Sequence, residues 1–187
     1  MTAPGVRPLT EIDLAQPGPG VLSASRLYVD EVLTWLARVS VPGSFLLPIA
    51  ARRGLLRLIG LQIGRQVTGL KQCGFETKRV SIGDGSYINV GCWFEGGGRI
   101  DIGRNVFLGP RVMILTSIHE IDSDGQAARA PVFSQVRISD RCWLGARAMI
   151  MPGVTIGEGT IIGAGAVVTH DCEPGAVYVG VPARRVR

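Results

Sequence analysis

The chain has 187 residues, of which 46% are apolar and 19% are charged, and its formal net charge is +5. This composition excludes a disordered chain, and no apolar run is long and uncharged enough to predict a transmembrane helix. The 26 glycines do not recur at every third position, which excludes collagen. A moderate positive charge is compatible with nucleic acid, a membrane surface or an anionic ligand and selects none of them.

The first part of the chain is predicted to be an arm followed by helices. Residues 1–20 are rich in proline and glycine, which is typical of a flexible N-terminal arm. Residues 21–79 are predicted to be a helical segment and lead-in, with one helix over 23–39 and a second from Phe45 to Ile59. The second helix carries arginines 52, 53 and 57 opposite an apolar side of Leu55, Leu58 and Ile59. Packing of this helix on the main domain is favoured, and a weak peripheral membrane contact is the alternative.

From residue 80 onward the sequence repeats with a period of six. Twelve aliphatic or aromatic residues fall on this period, with one two-residue slip at Gly96 to Gly98 and one 24-residue interval that keeps the phase. They are Ile82, Ile88, Phe94, Ile102, Leu108, Ile114, Ile138, Leu144, Ile150, Ile156, Ile162 and Val168. Small or β-branched residues recur four positions after most of them. An α-helix would spread this pattern around its whole surface, so it cannot use a period of six.

A solenoid can use this period, because each hexapeptide supplies one short strand and one turn, and successive coils stack in parallel. The sequence therefore predicts a mainly β solenoid over residues 80–173, with an excursion loop at 120–137. Residues 174–187 are predicted to be a basic C-terminal segment. Long excursions from a compact repeat are usually functional.

The cysteines are Cys73, Cys92, Cys142 and Cys172, and none forms a CxxC pair or has a histidine at ligand spacing. No metal site is therefore predicted. The last three fall on the small-residue positions of the repeat, which predicts buried thiols that pack in the coil.

The run from Ile156 to His170, IGEGTIIGAGAVVTH, resembles the hexapeptide-repeat acyltransferases, most closely the galactoside, maltose and polysaccharide O-acetyltransferases. The resemblance covers roughly residues 50–187. It implies a left-handed parallel β-helix and an acyl-CoA-dependent O-acyltransferase that transfers an acyl group, most often acetyl, to a hydroxyl of a sugar or glycan. It further implies acetyl-CoA as co-substrate, no metal, and a homotrimer whose sites lie between neighbouring subunits.

The chain has two histidines, His119 and His170, and His119 stands at the root of the excursion in Thr116-Ser-Ile-His119. Members of the family have a catalytic histidine after a similar Thr-x-x-His at this point. An imidazole has an unperturbed pKa of about 6.5, so it can accept the proton of an attacking hydroxyl near neutral pH. The resemblance therefore implies that His119 is the general base.

The resemblance implies further site residues. Asn89 matches an asparagine that orients the acceptor, and Trp143 matches a tryptophan that lines the acyl-CoA groove. Ala146 keeps the backbone amide that faces the thioester oxygen in the family. The remaining positions that match the CoA path or its phosphate contacts are Ala164, Thr169, His170, Arg184 and Arg187, and His170 departs from the lysine of many members.

The sequence excludes some of the other functions known for this fold and leaves others open. A γ-type carbonic anhydrase needs three metal-binding histidines, and this chain has two. A nucleotidyltransferase would need a nucleotide-binding domain, for which residues 1–79 are too short. An antibiotic or natural-product O-acetyltransferase and a non-catalytic β-helix scaffold stay open. No nucleic-acid partner is predicted, and the expected location is cytoplasmic, with contact at the inner membrane face left open.

Overall fold

A computed structural model of the protein describes residues 47–187. In it, each hexapeptide of the repeat forms one short strand followed by a turn. Successive strands fall in turn on three parallel sheets, which we call faces A, B and C. The predicted β-solenoid is confirmed. The turns from face A to B, from B to C and from C to A form three edges, which we call the A–B, B–C and C–A corners.

The strands are distributed over the faces as follows. Face A contains β1 (Gln62–Ile63), β4 (Val80–Ile82), β7 (Ile100–Ile102), β12 (Val136–Ile138) and β15 (Thr155–Ile156). Face B contains β2 (Thr68–Gly69), β5 (Tyr87–Ile88), β8 (Phe107–Leu108), β13 (Trp143–Leu144), β16 (Ile161–Ile162), β18 (Val177–Val179) and β19 (Arg184–Arg185). Face C contains β3 (Gly74–Phe75), β6 (Trp93–Glu95), β9 (Met113–Leu115), β14 (Met149–Ile150) and β17 (Val167–Val168). A separate antiparallel pair consists of β10 (Ser117–Ile118) and β11 (Val132–Phe133).

The strand register stacks the twelve periodic residues into three inward columns, one behind each face. On face B, for example, Ile88, Leu108, Leu144 and Ile162 are successive partners. None of the twelve is more than 3% exposed, which confirms the predicted inward positions. The small residues four positions later are buried as well, including Cys92, Cys142 and Cys172. Each column is therefore a continuous apolar core running along the coil.

Glycine often follows the inward residue because the next coil passes too close for a side chain. A Cβ at Gly145 would lie 2.5 Å from the backbone nitrogen of Ala164. The glycine is thus required by close approach of two backbones, and it allows the tight vertical spacing of the coils.

The solenoid begins earlier than the predicted boundary at residue 80. β1, β2 and β3 pair in parallel with β4, β5 and β6, so residues 62–75 form one additional coil. The repeat is hard to detect there because the inward position of face B is Gly69, which pairs with Ile88. Without an aliphatic residue at that position the period of six is broken.

The other predicted boundaries also shift. β18 pairs with β16, and β19 folds back antiparallel on β18, so the basic C-terminal segment is part of face B. The excursion ends before residue 137, because β12 already rejoins face A at Val136. The arm at 1–20 and the helix at 23–39 lie outside the described residues.

The predicted second helix is α1 (Ile49–Leu58), but its buried side differs from the prediction. Leu58 is 83% exposed, whereas Arg52 is 4% exposed. The arginines face the open end of the coil: Arg57 Nε donates to the Ile63 carbonyl at 2.8 Å, and Arg53 Nη1 donates to the Val67 carbonyl at 3.3 Å. These guanidinium groups satisfy carbonyls of the first coil, so the membrane contact proposed for this basic side is not supported.

Within residues 47–187, no helix combines the length and the apolar character that crossing a bilayer requires.

Candidate functional site

The excursion from the coil is an ordered hairpin at the C–A corner. Beyond β10 and β11, residues 121 and 127 form a further antiparallel bridge. Asp122 closes the tip, because its Oδ1 accepts hydrogen bonds from the N–H groups of Asp124 at 3.0 Å and Gln126 at 2.9 Å. The hairpin therefore gives the residues at its root a defined position.

His119 directly follows β10, and the returning side of the hairpin holds its imidazole. Nδ1 of His119 lies 2.7 Å from the carbonyl oxygen of Ala128, whose own N–H donates to the Glu120 carbonyl at 2.7 Å. A carbonyl oxygen can only accept, so this contact requires the proton on Nδ1. In the neutral ring Nε2 then carries a lone pair, which makes it the proton acceptor. The side chain is exposed, as a base that meets a ligand has to be.

A cleft of about 730 Å³ opens beside His119 at the C–A corner. Its walls come from residues 76–79, from Glu95 to Gly97, and from Ser117, Pro131 and Phe133. The ring of Phe133 lies over Gly97, where an added Cβ would be 3.1 Å from the ring. The hairpin thus supplies one wall of the cleft and the coil supplies the other.

Glu95 ties the root of the hairpin to the coil. Its Oε2 accepts a hydrogen bond from the Thr116 N–H at 3.2 Å, and its Oε1 accepts one from the Ser117 hydroxyl. The Thr116 hydroxyl in turn donates to the Glu95 carbonyl at 2.7 Å. Movement of this carboxylate would therefore displace the segment that leads to His119.

Sequence reasoning missed Glu95 and its neighbour in the cleft, Glu76. Glu76 accepts from Trp93 Nε1 at 2.9 Å and from the Gly96 N–H at 3.1 Å. The available signal was an acidic residue immediately after the inward Phe94, at the corner where the two-residue slip occurs. Nothing in the period of six identifies it as a support for the excursion one coil further on.

A second group of predicted site residues lies at the B–C corner. Ala146 and Ala164 follow β13 and β16 at equivalent places in successive coils, and Asn89 follows β5 at the same corner. The Ala146 N–H makes no hydrogen bond within residues 47–187. Asn89 Oδ1 accepts from the Val90 N–H at 2.8 Å, which leaves the side-chain NH₂ as a donor.

Trp143 lies on the outer side of face B, next to this corner, and is 55% exposed. It continues an outward aromatic row, because Tyr87, Phe107 and Trp143 are successive partners in register. An exposed row of large apolar side chains on a rigid sheet suits a ligand or another subunit.

The remaining predicted residues lie elsewhere on the coil. Thr169 and His170 are at the C–A corner, where Nδ1 of His170 lies 2.8 Å from the Thr169 hydroxyl. Arg184 and Arg187 are exposed at the far end of face B, and neither guanidinium meets an acidic group in the described chain. Between them, Arg185 is paired with Glu173.

The single chain does not bring the predicted base and the predicted acceptor-orienting residue together. His119 stands at the C–A corner and Asn89 at the B–C corner, so the whole width of face C separates them. Neither Asn89 nor Trp143 lines the cleft beside His119. The two groups can meet only when the C–A corner of one copy faces the B–C corner of another.

No group of three or more His, Cys, Asp or Glu residues in the described chain is arranged to hold a metal ion. The four cysteines are buried, as the repeat predicted for Cys92, Cys142 and Cys172. Burial raises the pKa of the Cys172 thiol to about 12 and also raises the pKa of Cys142. These two thiols are therefore packing groups rather than nucleophiles.

The similarity to known protein families lies in the repeat. The family model described as bacterial transferase hexapeptide (six repeats) matches residues 135–170. A galactoside O-acetyltransferase of Lactococcus lactis is 36% identical over 108 residues, which cover 58% of this chain and 52% of that protein. The chain thus spans about half the length of the curated relatives it matches.

Solved structures cover more of the chain. A maltose O-acetyltransferase of Clostridium difficile is 30% identical with a TM-score of 0.68, over 86% of this chain and 84% of that one. A hexapeptide-repeat acetyltransferase of Vibrio cholerae, solved with acetyl-coenzyme A, is 26% identical with a TM-score of 0.74, over 88% of this chain and 90% of that one. With its period of six, its three parallel faces and this similarity, the chain belongs to the hexapeptide-repeat acetyltransferase family.

Proposed function

We propose that the protein is an acyl-CoA-dependent O-acyltransferase, with acetyl as the acyl group and a hydroxyl of a sugar or glycan as the acceptor. The observation that carries the proposal is the contact between His119 Nδ1 and the Ala128 carbonyl, which fixes the tautomer with Nε2 as the proton acceptor. The sugar acceptor is supported by relatives named for galactoside and maltose.

In the proposed mechanism His119 acts on the acceptor directly. Its Nε2 takes the proton from the acceptor hydroxyl as the oxygen attacks the acyl carbon, and the new C–O bond replaces the C–S bond of the thioester. The proton then passes from the imidazolium to the departing thiolate, so the charge balances and His119 is regenerated. An acyl-CoA supplies the activated thioester. No covalent acyl-protein step is needed.

The backbone N–H of Ala146 is the proposed donor to the negative charge that develops on the thioester oxygen. It has no acceptor within residues 47–187, and it belongs to a turn fixed between two coils. A preorganised donor of this kind stabilises the transition state more than the ground state. Ala146 lacks a hydroxyl, so the contribution comes from the main chain alone.

The residues present fit an acyl-CoA. Trp143 offers an exposed flat surface on face B, and Ala164 continues the B–C corner beyond Ala146. Arg184 and Arg187 meet no acidic group within the described chain, so their guanidinium groups can bind phosphate in a charge-assisted manner. Thr169 and His170 lie at the C–A corner, so we propose that a neighbouring copy contributes them to the opposite wall of this groove.

We further propose a homotrimer in which face C points toward the threefold axis. The outward residues of face C are mostly apolar, and they are Gly74, Trp93, Met113, Met149 and Val167. Those of face A are polar, and they are Gln62, Ser81, Asp101, Arg137 and Thr155. Burying face C and leaving face A in water is the favourable arrangement. Closure of three copies then sets the B–C corner of each against the C–A corner of the next.

The decisive experiment mixes two variants, each impaired in a different half of the proposed site. His119→Ala removes the proposed base and is expected to lower turnover by about 10²- to 10⁴-fold while acetyl-CoA binding persists. Asn89→Ala is expected to weaken acceptor use. If each site takes Asn89 from one subunit and His119 from its neighbour, unfolding and refolding an equal mixture should restore about one quarter of the wild-type activity.

His170→Ala is the matched control, because it changes the other histidine at the same corner and should affect cofactor affinity more than turnover. A His119→Ala protein that folds, binds acetyl-CoA and keeps near-normal turnover would overturn the base assignment. Absence of any restored activity in refolded mixed trimers would overturn the shared site. A protein that binds no acyl-CoA at low salt would favour the scaffold alternative.

A further inference from the structure

Two arginines at the B–C corner have no role in the proposed transfer reaction. Arg111 and Arg147 occupy the same place in successive coils, two residues before the paired Met113 and Met149. The Arg147 N–H donates to the Pro110 carbonyl at 2.9 Å, which ties the two turns together. Both side chains are exposed, and Arg147 directly follows Ala146.

Neither guanidinium has an acidic partner or a hydrogen bond within residues 47–187. At the A–B corner, by contrast, two arginines are neutralised by acidic partners. There Arg141 pairs with Glu158 at 2.7 Å, and Arg104 pairs with Asp140 at 3.0 Å. At the B–C corner two arginines instead follow each other in successive coils, and their backbones are about 5 Å apart, which is the spacing of neighbouring strands.

The backbone at these two positions favours glycine rather than arginine. Arg111 and Arg147 both have a φ of 58°, in the left-handed region that disfavours residues with a Cβ. The equivalent turns of the flanking coils carry Gly91 and Gly165, with φ of 73° and 68°. Arg111 and Arg147 thus occupy two positions at which glycine would suit the backbone better.

We propose that Arg111 and Arg147 form an anion-binding site that holds a phosphate or carboxylate group of a ligand lying along the B–C corner. An anion placed between the two guanidinium groups would relieve their repulsion and accept charge-assisted hydrogen bonds from both. The position next to Ala146 and Trp143 assigns the anion to one of the two transferase ligands. That assignment rests on the proposed function, whereas anion binding itself does not.

The first measurement is independent of activity. Pyrophosphate binding to the full-length protein is followed by calorimetry at low salt. The double variant Arg111→Gln/Arg147→Gln keeps side chains of similar length without their charge, and it should bind pyrophosphate at least about tenfold more weakly. The matched control is Arg141→Gln, which also changes a left-handed corner arginine and should leave binding unchanged. Equal binding by wild type and the double variant, or equal loss in the control, would overturn the proposal.

The second measurement identifies the source of the anion. If the phosphates of CoA are bound, the double variant should weaken CoA binding but not that of pantetheine, which lacks those phosphates. If the acceptor carries the anion, KM should rise for glucuronate or galacturonate while KM for glucose or galactose and CoA binding stay constant. A wild-type protein that transfers no acetyl group but binds pyrophosphate through these arginines would overturn the proposed function and support the anion site.

Discussion

Replacing Leu144 by alanine tests the solenoid core most directly. Leu144 is fully buried between Leu108 and Ile162 in the inward column of face B. The substitution removes three carbon groups, each of which contributes about 0.8 kcal/mol when buried. The cavity left behind adds roughly 1–2 kcal/mol to this loss, because backbone hydrogen bonds fix the spacing of the neighbouring coils and prevent them from filling it. We expect a loss of about 3.4–4.4 kcal/mol in the free energy of unfolding.

Urea unfolding followed by far-ultraviolet circular dichroism measures this loss. The matched control is Trp143→Ala, which removes a larger side chain from the adjacent position but from the outer side of the sheet. Trp143 is 55% exposed, so the control should lose only about 1 kcal/mol of stability. A Trp143→Ala protein that is less stable than Leu144→Ala at the same protein concentration would refute the inward and outward assignment of the repeat.

Two predictions concern pH. The backbone N–H of Arg104 holds the pKa of Asp140 below its ordinary value of 3.8. Asp140→Asn should therefore be less stable than wild type above pH 3.8, and the difference should vanish as the pH falls through the folded-state pKa; a difference that persists in strong acid would contradict this. Burial raises the pKa of Cys172 from 9.0 to about 12, so iodoacetamide at pH 8 should label it about a thousandfold more slowly in the native protein than in urea. Mass spectrometry measures the labelling rate. Because the folded-state pKa of this thiol is raised, the stability that it contributes is present below pH 9.0 and is lost as the pH rises toward 12.

His119 illustrates how far sequence reasoning reached into the candidate site. The sequence placed it at the root of the excursion and, through the family resemblance, assigned its role. Which nitrogen carries the proton depends on the Ala128 carbonyl, nine residues away, and so on the path of the hairpin. Glu95 escaped notice for the same reason, since its partners Thr116 and Ser117 belong to the next coil.

Arg52 shows the opposite limit, where a local pattern was misleading. Amphipathic spacing assigned Arg52 to solvent and Leu58 to the core, and the structure reverses both. The open end of a solenoid presents carbonyls that have no further coil to bind, and guanidinium groups satisfy them. The periodicity of the helix cannot reveal this need for hydrogen-bond donors, because the unpaired carbonyls belong to the edge of the first coil and not to the helix.

The sequence alone determined the solenoid, its inward residues and the place of the excursion, because a period of six allows only one way to bury its aliphatic positions. The tertiary structure decided what the period leaves open. It placed His119 and Asn89 at opposite ends of face C, positioned the imidazole against Ala128, and stacked Arg111 on Arg147 without an acidic partner in the described chain. The repeat specifies which side chains point inward, whereas the contacts between corners depend on residues one coil or more apart in the sequence.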